Sequence, residues 1–361
     1  MKKLICFLSV VTFFISCSSD GNDVTVENGV PIILINADPL LDGTTTRASF
    51  TQDTQLDSGQ KLYVWCKHTG TSDDYLKTWI LTANGSGGFT GVTKYYPPTG
   101  TNIDIYALHG NIISPSLSEG GQSLPSSANA ITHTVLSNQT AEGYAASDLL
   151  ATCVTNKGPY GNAGQGNSYS VPLTFDHLLC RLEIEIFSSD LDAGDIASIE
   201  LLTPRTTTTL TMPTYSGTSA VVGETANTTA SSILMHFNSS NHKLAECIIP
   251  TQGYTQGTNM VKLTLSDGKT FTYSASQQFS FLNGKSYRFE MSFDRAKIVA
   301  LGLEVTDWNW SDATINMEYI KLSTADDTSV TITGADSETE NLEWELGGEN
   351  SKEDTKGNEW F

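Results

Sequence analysis

Cys17 closes the run Phe14-Ile15-Ser16-Cys17, behind the charged Met1-Lys2-Lys3 and an apolar stretch from Leu4 to Ile15. A small residue before a cysteine at such a point is what a lipoprotein signal peptidase requires, so lipidation of Cys17 is the expected chemistry. Phe14 stands where leucine is usual, and ordinary cleavage nearby is the alternative. Arg47 is the second reactive position: it is the only arginine before Arg181, and no lysine lies between Lys3 and Lys61. Within Gly43-Thr44-Thr45-Thr46-Arg47-Ala48, a protease specific for basic residues meets one accessible target. A solvated linker arginine is the bland alternative. Asp176-His177 joins an acid to an imidazole, but no nucleophile or partner at motif spacing accompanies the pair, so a structural histidine is expected. Asp190, Asp192 and Asp195 with Gly194 lack the spacing and terminal glutamate of a calcium loop and read as a solvated turn. Trp65, Trp79 and Trp308 could stack on sugars, although tryptophans on strands more often face a core or an interface. With no GxSxG, HExxH or phosphate loop, the expectation is a non-enzyme with no catalytic residue, metal site or cofactor.

The run from Leu4 to Ile15 is too short to span a bilayer and reads as a signal segment, residues 1–16. The polar, acidic Ser18-Ser19-Asp20-Gly21-Asn22-Asp23 that follows reads as a tether. The chain of 361 residues carries 20 basic and 40 acidic side chains, a balance of −20. Removal of Lys2 and Lys3 makes it −22, the wrong sign for nucleic acid and a favourable one for solubility. Outside positions 6 and 17 the cysteines are Cys66, Cys153, Cys180 and Cys247, far apart and in no CxxC spacing, which argues against zinc. Buried thiols and disulfides are both open from sequence.

Alternation of apolar and polar residues, punctuated by Gly, Asn, Ser, Thr and Pro, predicts an all-β chain of many short antiparallel strands. Strands are expected at Pro31–Asn36, Lys61–Lys67, Ile103–His109, Leu182–Phe187, Val261–Leu265, Tyr287–Phe293 and Ile298–Val305. In Leu182-Glu183-Ile184-Glu185-Ile186 the apolar residues should face a core and the acids water. A Gly- and Asn-rich stretch, Asn156 to Ser170, suggests a boundary near Val171 between two tandem antiparallel β-sandwiches, residues 48–170 and 171–310. Thr206 to Ser232 should form loops and edge strands. Residues 321–361 hold 3 basic and 11 acidic side chains, as a solvated tail would. Yet Ile315, Met317 and Tyr319, then Val330 and Ile332, then Leu342, Trp344 and Leu346 alternate at period two.

Four segments in order carry a family resemblance: Thr46-Arg47-Ala48 with Gly59-Gln60-Lys61-Leu62-Tyr63-Val64; Ser147-Asp148-Leu149-Leu150-Ala151; Leu173 to Leu182 with Phe175 and His177; and Gly284-Lys285-Ser286-Tyr287 running on to Trp308. Together with the lipoprotein start they make residues 30–310 resemble the Bacteroidales fimbrillins, subunits of strand-exchange fimbriae. The resemblance implies transthyretin-like, Greek-key sandwiches. It also implies an outer-membrane lipoprotein precursor whose propeptide, residues 17–47, is cut between Arg47 and Ala48 by an Arg-specific protease. Cleavage would free the apolar strand Pro31-Ile32-Ile33-Leu34-Ile35 from a groove. A donor strand from another fimbrial subunit would refill the groove, burying about four aliphatic side chains worth on the order of 6–12 kcal/mol. The donor is expected in the acidic segment 311–361. The implied function is a structural subunit of surface fimbriae supporting cell adhesion. A tip or accessory adhesin of the same fold, or a lipid-anchored glycan-binding protein, is the alternative. The receptor is not legible.

Overall fold

The computed structural model describes residues 30–36, 56–98, 101–140, 142–158, 170–212, 221–225, 230, 232–238, 241–294, 297–308, 317–322 and 330–332. The chain runs through β1 (Ile33–Asn36), β2 (Lys61–His68), β3 (Asp74–Ala83), β4 (Phe89–Gly91), β5 (Ile103–His109), β6 (Ile112–Ser114) and β7 (Ile131–Thr134). Helix α1 (Glu142–Ser147), β8 (Leu150–Lys157), β9 (Ser170–Leu173), β10 (Asp176–His177) and β11 (Cys180–Phe187) follow. Next come β12 (Ile196–Leu202), β13 (Thr207–Thr211), β14 (Val221–Thr225), β15 (Ser232–Leu234), β16 (His236–Asn238), β17 (Asn241–Ile249) and β18 (Gln252–Tyr254). The last are β19 (Asn259–Leu265), β20 (Thr270–Ser274), β21 (Phe279–Phe281), β22 (Lys285–Phe293), β23 (Ile298–Asp307), β24 (Met317–Lys321) and β25 (Val330–Ile332).

The fold is all-β, as expected. A six-stranded sheet has the order β10-β8-β5-β2-β3-β4 and a seven-stranded sheet the order β16-β17-β11-β22-β23-β24-β25. Two four-stranded sheets, β15-β12-β19-β20 and β14-β13-β7-β6, and the pairs β1-β9 and β18-β21 complete the described topology. Neighbours are antiparallel except β1 with β9 and β11 with β22. Each strand expected from sequence is present, within a few residues at its ends.

The six-stranded sheet is a wall between two cores. On one face Leu62, Val64, Cys66, Ile103, Ile105 and Ala107 pack with Ile32, Leu34, Val171 and Leu173. On the other, Trp65, Tyr106 and Leu108 join a core built largely from the second half of the chain, including Leu182, Ile184, Phe281 and Phe289. Every residue of β5 is buried for this reason, and its sequence Ile-Asp-Ile-Tyr-Ala-Leu-His is apolar on both faces rather than alternating.

Two expectations need correction. The acidic face of β11 is not open to water: Glu183 is buried, with Arg181 at 3.1 Å, and Glu185 is bound by Arg288. β11 lies between β17 and β22, so flanking side chains cover its polar face and the acids are held as ion pairs. Within Thr206 to Ser232, β13 is an inner strand, with Thr207, Thr208 and Leu210 buried. It pairs with β7 in the register Thr207↔Thr134 to Leu210↔Ile131, so a strand of the second half completes a sheet of the first. β10 likewise pairs with β8. The two-sandwich division at Val171 is therefore bridged by hydrogen bonds and by a common core.

Candidate interaction site

β1 is held along both edges. On one side it runs parallel to β9, with Ile33↔Ser170, Leu34↔Val171 and Ile35↔Pro172 in register. On the other, Ile32 N donates to Lys94 O at 2.8 Å, Tyr96 N to Val30 O at 2.9 Å and Asn36 N to Gly87 O at 2.7 Å. A strand so placed leaves two unpaired backbone edges when it departs.

Its side chains split by parity. Ile32 and Leu34 are each 4% exposed and enter the core lined by Val64, Trp79, Tyr96 and Val171, whereas Ile33 (44%) and Ile35 (37%) face outward. The apolar run Pro31 to Ile35 lies in a groove that it fills with two aliphatic side chains. A strand alternates faces whatever its composition, and the groove covers one face only. Burial here is worth on the order of 3–6 kcal/mol.

A second cluster joins three of the segments that stood out in the sequence. His177 Nδ1 lies 2.9 Å from an Asp148 carboxylate oxygen, and both residues are buried. The His177 ring stacks on Trp308 with centroids 3.9 Å apart and planes 11° from parallel, and the Arg181 guanidinium lies 5.6 Å from the Trp308 ring centre. Asp176 beside it is half-buried, which raises its carboxyl pKa. The arrangement ties β10 to the ends of α1 and β23. Trp65, Trp79 and Trp308 are all buried and offer no open face to a sugar. Asp195 accepts from Asp192 N at 2.9 Å in a short 3-10 turn, which gives the calcium-like triplet a local structural role. Among the described residues no group of acidic, His and Cys side chains could hold a metal ion.

The remaining named positions divide. Cys17, Arg47, Ala48, Ile315, Leu342, Trp344 and Leu346 lie outside the described residues. Met317 and Tyr319 are in β24, which pairs with β23 through Thr306↔Met317 to Gly302↔Lys321, and Tyr319 Oη donates to Glu290 at 2.9 Å. Val330 and Ile332 are in β25, paired with β24. Two candidate donor segments thus extend the seven-stranded sheet of their own chain. Cys66, Cys153, Cys180 and Cys247 are free thiols. What sequence reasoning missed is the pairing of β1 with Gly87 to Tyr96, since a partner irregular in hydrogen bonding leaves no periodic signal, and the burial of His109 and His133 at 2% and 0% exposure.

Residues 46–308 match a family described as fimbrillin-like. Among solved structures, a candidate cell-adhesion protein from Bacteroides uniformis aligns with a TM-score of 0.50 at 19% identity, covering 79% of this chain and 99% of that one. Another from Bacteroides ovatus aligns with a TM-score of 0.52 at 14% identity, with the same coverage. At these identities the likeness is one of fold. No curated protein matches the chain.

Proposed function

The chain belongs to the fimbrillin-like family, and from that premise we propose that it is a structural subunit of surface fimbriae that supports adhesion and polymerises when β1 is exchanged for a strand of another subunit. The observation that carries this reading is the setting of β1: hydrogen-bonded on both edges, anchored by the buried Ile32 and Leu34, and followed in sequence by Arg47, the one arginine before Arg181. Lipidation at Cys17 holds the precursor at the outer membrane, because buried acyl methylenes tether it. Cleavage between Arg47 and Ala48 by an Arg-specific protease removes the covalent link between anchor and body. Loss of β1 then exposes apolar surface beside two unpaired edges, a configuration that templates strand addition. Head-to-tail addition between unlike surfaces does not close, so it yields a filament.

The donor lies in the acidic segment after Trp308. Because β24 and β25 are paired within their own sheet, a donor drawn from them must first detach. That cost leaves room for a tip or accessory subunit that accepts a strand without giving one. Treatment of purified precursor with an Arg-specific protease should give SDS-resistant ladders on an unboiled gel, and Arg47→Ala should give none. Normal fibres from Arg47→Ala would remove the cleavage step from the mechanism. Deletion of Ser323 to Phe361 should stop elongation in a stalk subunit and leave tip incorporation intact in an accessory one. Binding of the uncleaved monomer to a glycan array would favour the carbohydrate-binding alternative instead.

A further inference from the structure

Helix α1 ends in hydrogen-bond acceptors, as every helix does, and it has no basic residue in its last turn. Imidazoles from two strands reach those acceptors instead, and one from a third holds the acid that follows the helix. His109 of β5 lies between two carbonyl oxygens, Lys61 O at 2.9 Å and Ala145 O at 3.1 Å. His133 of β7 has Nε2 at 3.0 Å from Ser147 O, and His177 holds the Asp148 carboxylate. On its opposite side α1 packs against the seven-stranded sheet, where buried Tyr144 sits with its ring 5.7 Å from that of His236 on β16. Just ahead of the helix, the buried Gln139 carboxamide makes two hydrogen bonds to the Ile248 backbone, of 2.8 and 2.7 Å. Residues 135–140 and 142–149 form a wedge between the two large sheets.

We propose that this wedge is an acid-opened latch between the six- and seven-stranded sheets, with His133 as its trigger. The His133 ring must carry its proton on Nε2 to donate to Ser147 O, which leaves a lone pair on Nδ1. Nδ1 is buried and has no hydrogen-bond partner among the described residues. Gly110 faces it so closely that a Cβ there would lie 2.8 Å from the nitrogen. A second proton on the ring would find no acceptor there, so charging His133 leaves a buried donor unsatisfied, a cost that movement of Gly110 or of the α1 end relieves. The surroundings offer little relief. His109 lies on the β5 side and opposes a positive charge, and Asp148 after α1 favours one but is already engaged by His177. Across the strand pairs, His133 is opposite Thr208 of β13 and Ile112 of β6, neither of which titrates in this range.

The pH window follows from the depressed basicity. Burial lowers the His133 pKa from the ordinary 6.5 to about 4. A depressed folded-state pKa means that the unfolded chain takes up the proton first, so the contribution to stability is complete above 6.5 and is lost as pH falls toward 4. Partial burial also lowers the pKa of His236, across the wedge, and its contribution moves in the same direction.

The test is hydrogen exchange on the full chain at about pH 7 and about pH 4.5, corrected for intrinsic rates. Amides of residues 142–149 should lose protection by roughly tenfold or more at the lower pH, while β22 and β23 hold theirs. His133→Gln keeps a donor for Ser147 O and cannot gain a proton, so its protection should vary less with pH. Unchanged protection in the unmodified chain, or acid opening in His133→Gln equal to that of the unmodified chain, overturns the latch. Should the variant fail to fold, ring NMR of labelled histidines decides. A His133 ring that titrates near 6.5 without shifts in residues 142–149 overturns it, and one that titrates well below, together with those shifts, upholds it.

Discussion

Ile33 and Leu34 have nearly the same volume and adjacent positions, yet one is 44% exposed and the other 4%. The difference is parity on a strand with a covered and an open face, and it makes their substitutions unequal. Leu34→Ala removes methylenes from the core beside Val64 and Trp79, and should lower the unfolding free energy of the uncleaved chain by about 2–5 kcal/mol. Ile33→Thr should stay within about 0.5 kcal/mol. Urea titrations of the two variants check this, and equal losses would mean that β1 is not seated as described. The cysteines give a second residue-scale expectation. Cys66 and Cys153 lie on adjacent residues' partners, Ile105 and Tyr106, and so on opposite faces of the sheet, while Cys180 and Cys247 are offset by two positions across β11 and β17. Neither pair has the directly opposed side chains of a cross-strand bridge. Burial raises the pKa of Cys66, Cys180 and Cys247, and that of Cys153 to about 11, so few are thiolates near neutral pH. All four should resist a thiol-reactive dye in the native protein and react after unfolding without reductant. A shortfall of two in that second count would reveal a disulfide.

At the scale of elements, what the sequence made legible was each strand whose apolar residues recur at period two against a single covered face. Tyr287 to Phe293 and Val261 to Leu265 belong to this kind, with inward residues buried and alternate ones partly exposed. The apolar content of Pro31 to Ile35 likewise pointed to a strand in a groove. Composition could not say how many faces of each strand are covered, because that depends on elements distant in sequence. β5 is apolar on both faces because two cores flank it, while β1 is apolar on both faces and has one covered. Pattern alone therefore errs in both directions: the apolar content of β1 overstates its cover, and the alternation of β11 understates it. The Asp148, His177 and Trp308 cluster shows the same limit, since three separate segments were visible singly but their meeting depends on β10 crossing to pair with β8. His109 and His133 carried no motif at all, and their interest comes from the end of α1, which only the fold places against them.

For the whole molecule, the decisive feature is that the six-stranded sheet forms a wall of both cores, so neither half of the chain can release its side without exposing apolar surface of the other. β13 adds to this by pairing with β7 across the expected boundary. Independent domains have separate cores with few contacts between them, whereas residues of both 48–170 and 171–310 enter the core that holds Trp65 and Phe289. The expectation is a single cooperative transition of the described body. Cys66 reports on the core that holds β1, and Cys247 on the core shared with the second half, so their labelling rates at increasing urea give a local midpoint for each. The two midpoints should coincide within error, and together with the midpoint of the far-ultraviolet signal. Separate midpoints, with Cys66 exposed first, would restore the two-sandwich division read from the Gly- and Asn-rich stretch at Asn156 to Ser170. Coincidence has a consequence for assembly: occupancy of the β1 groove then bears on the stability of the entire subunit, because any strand that binds only the folded state raises the free energy of unfolding both cores together.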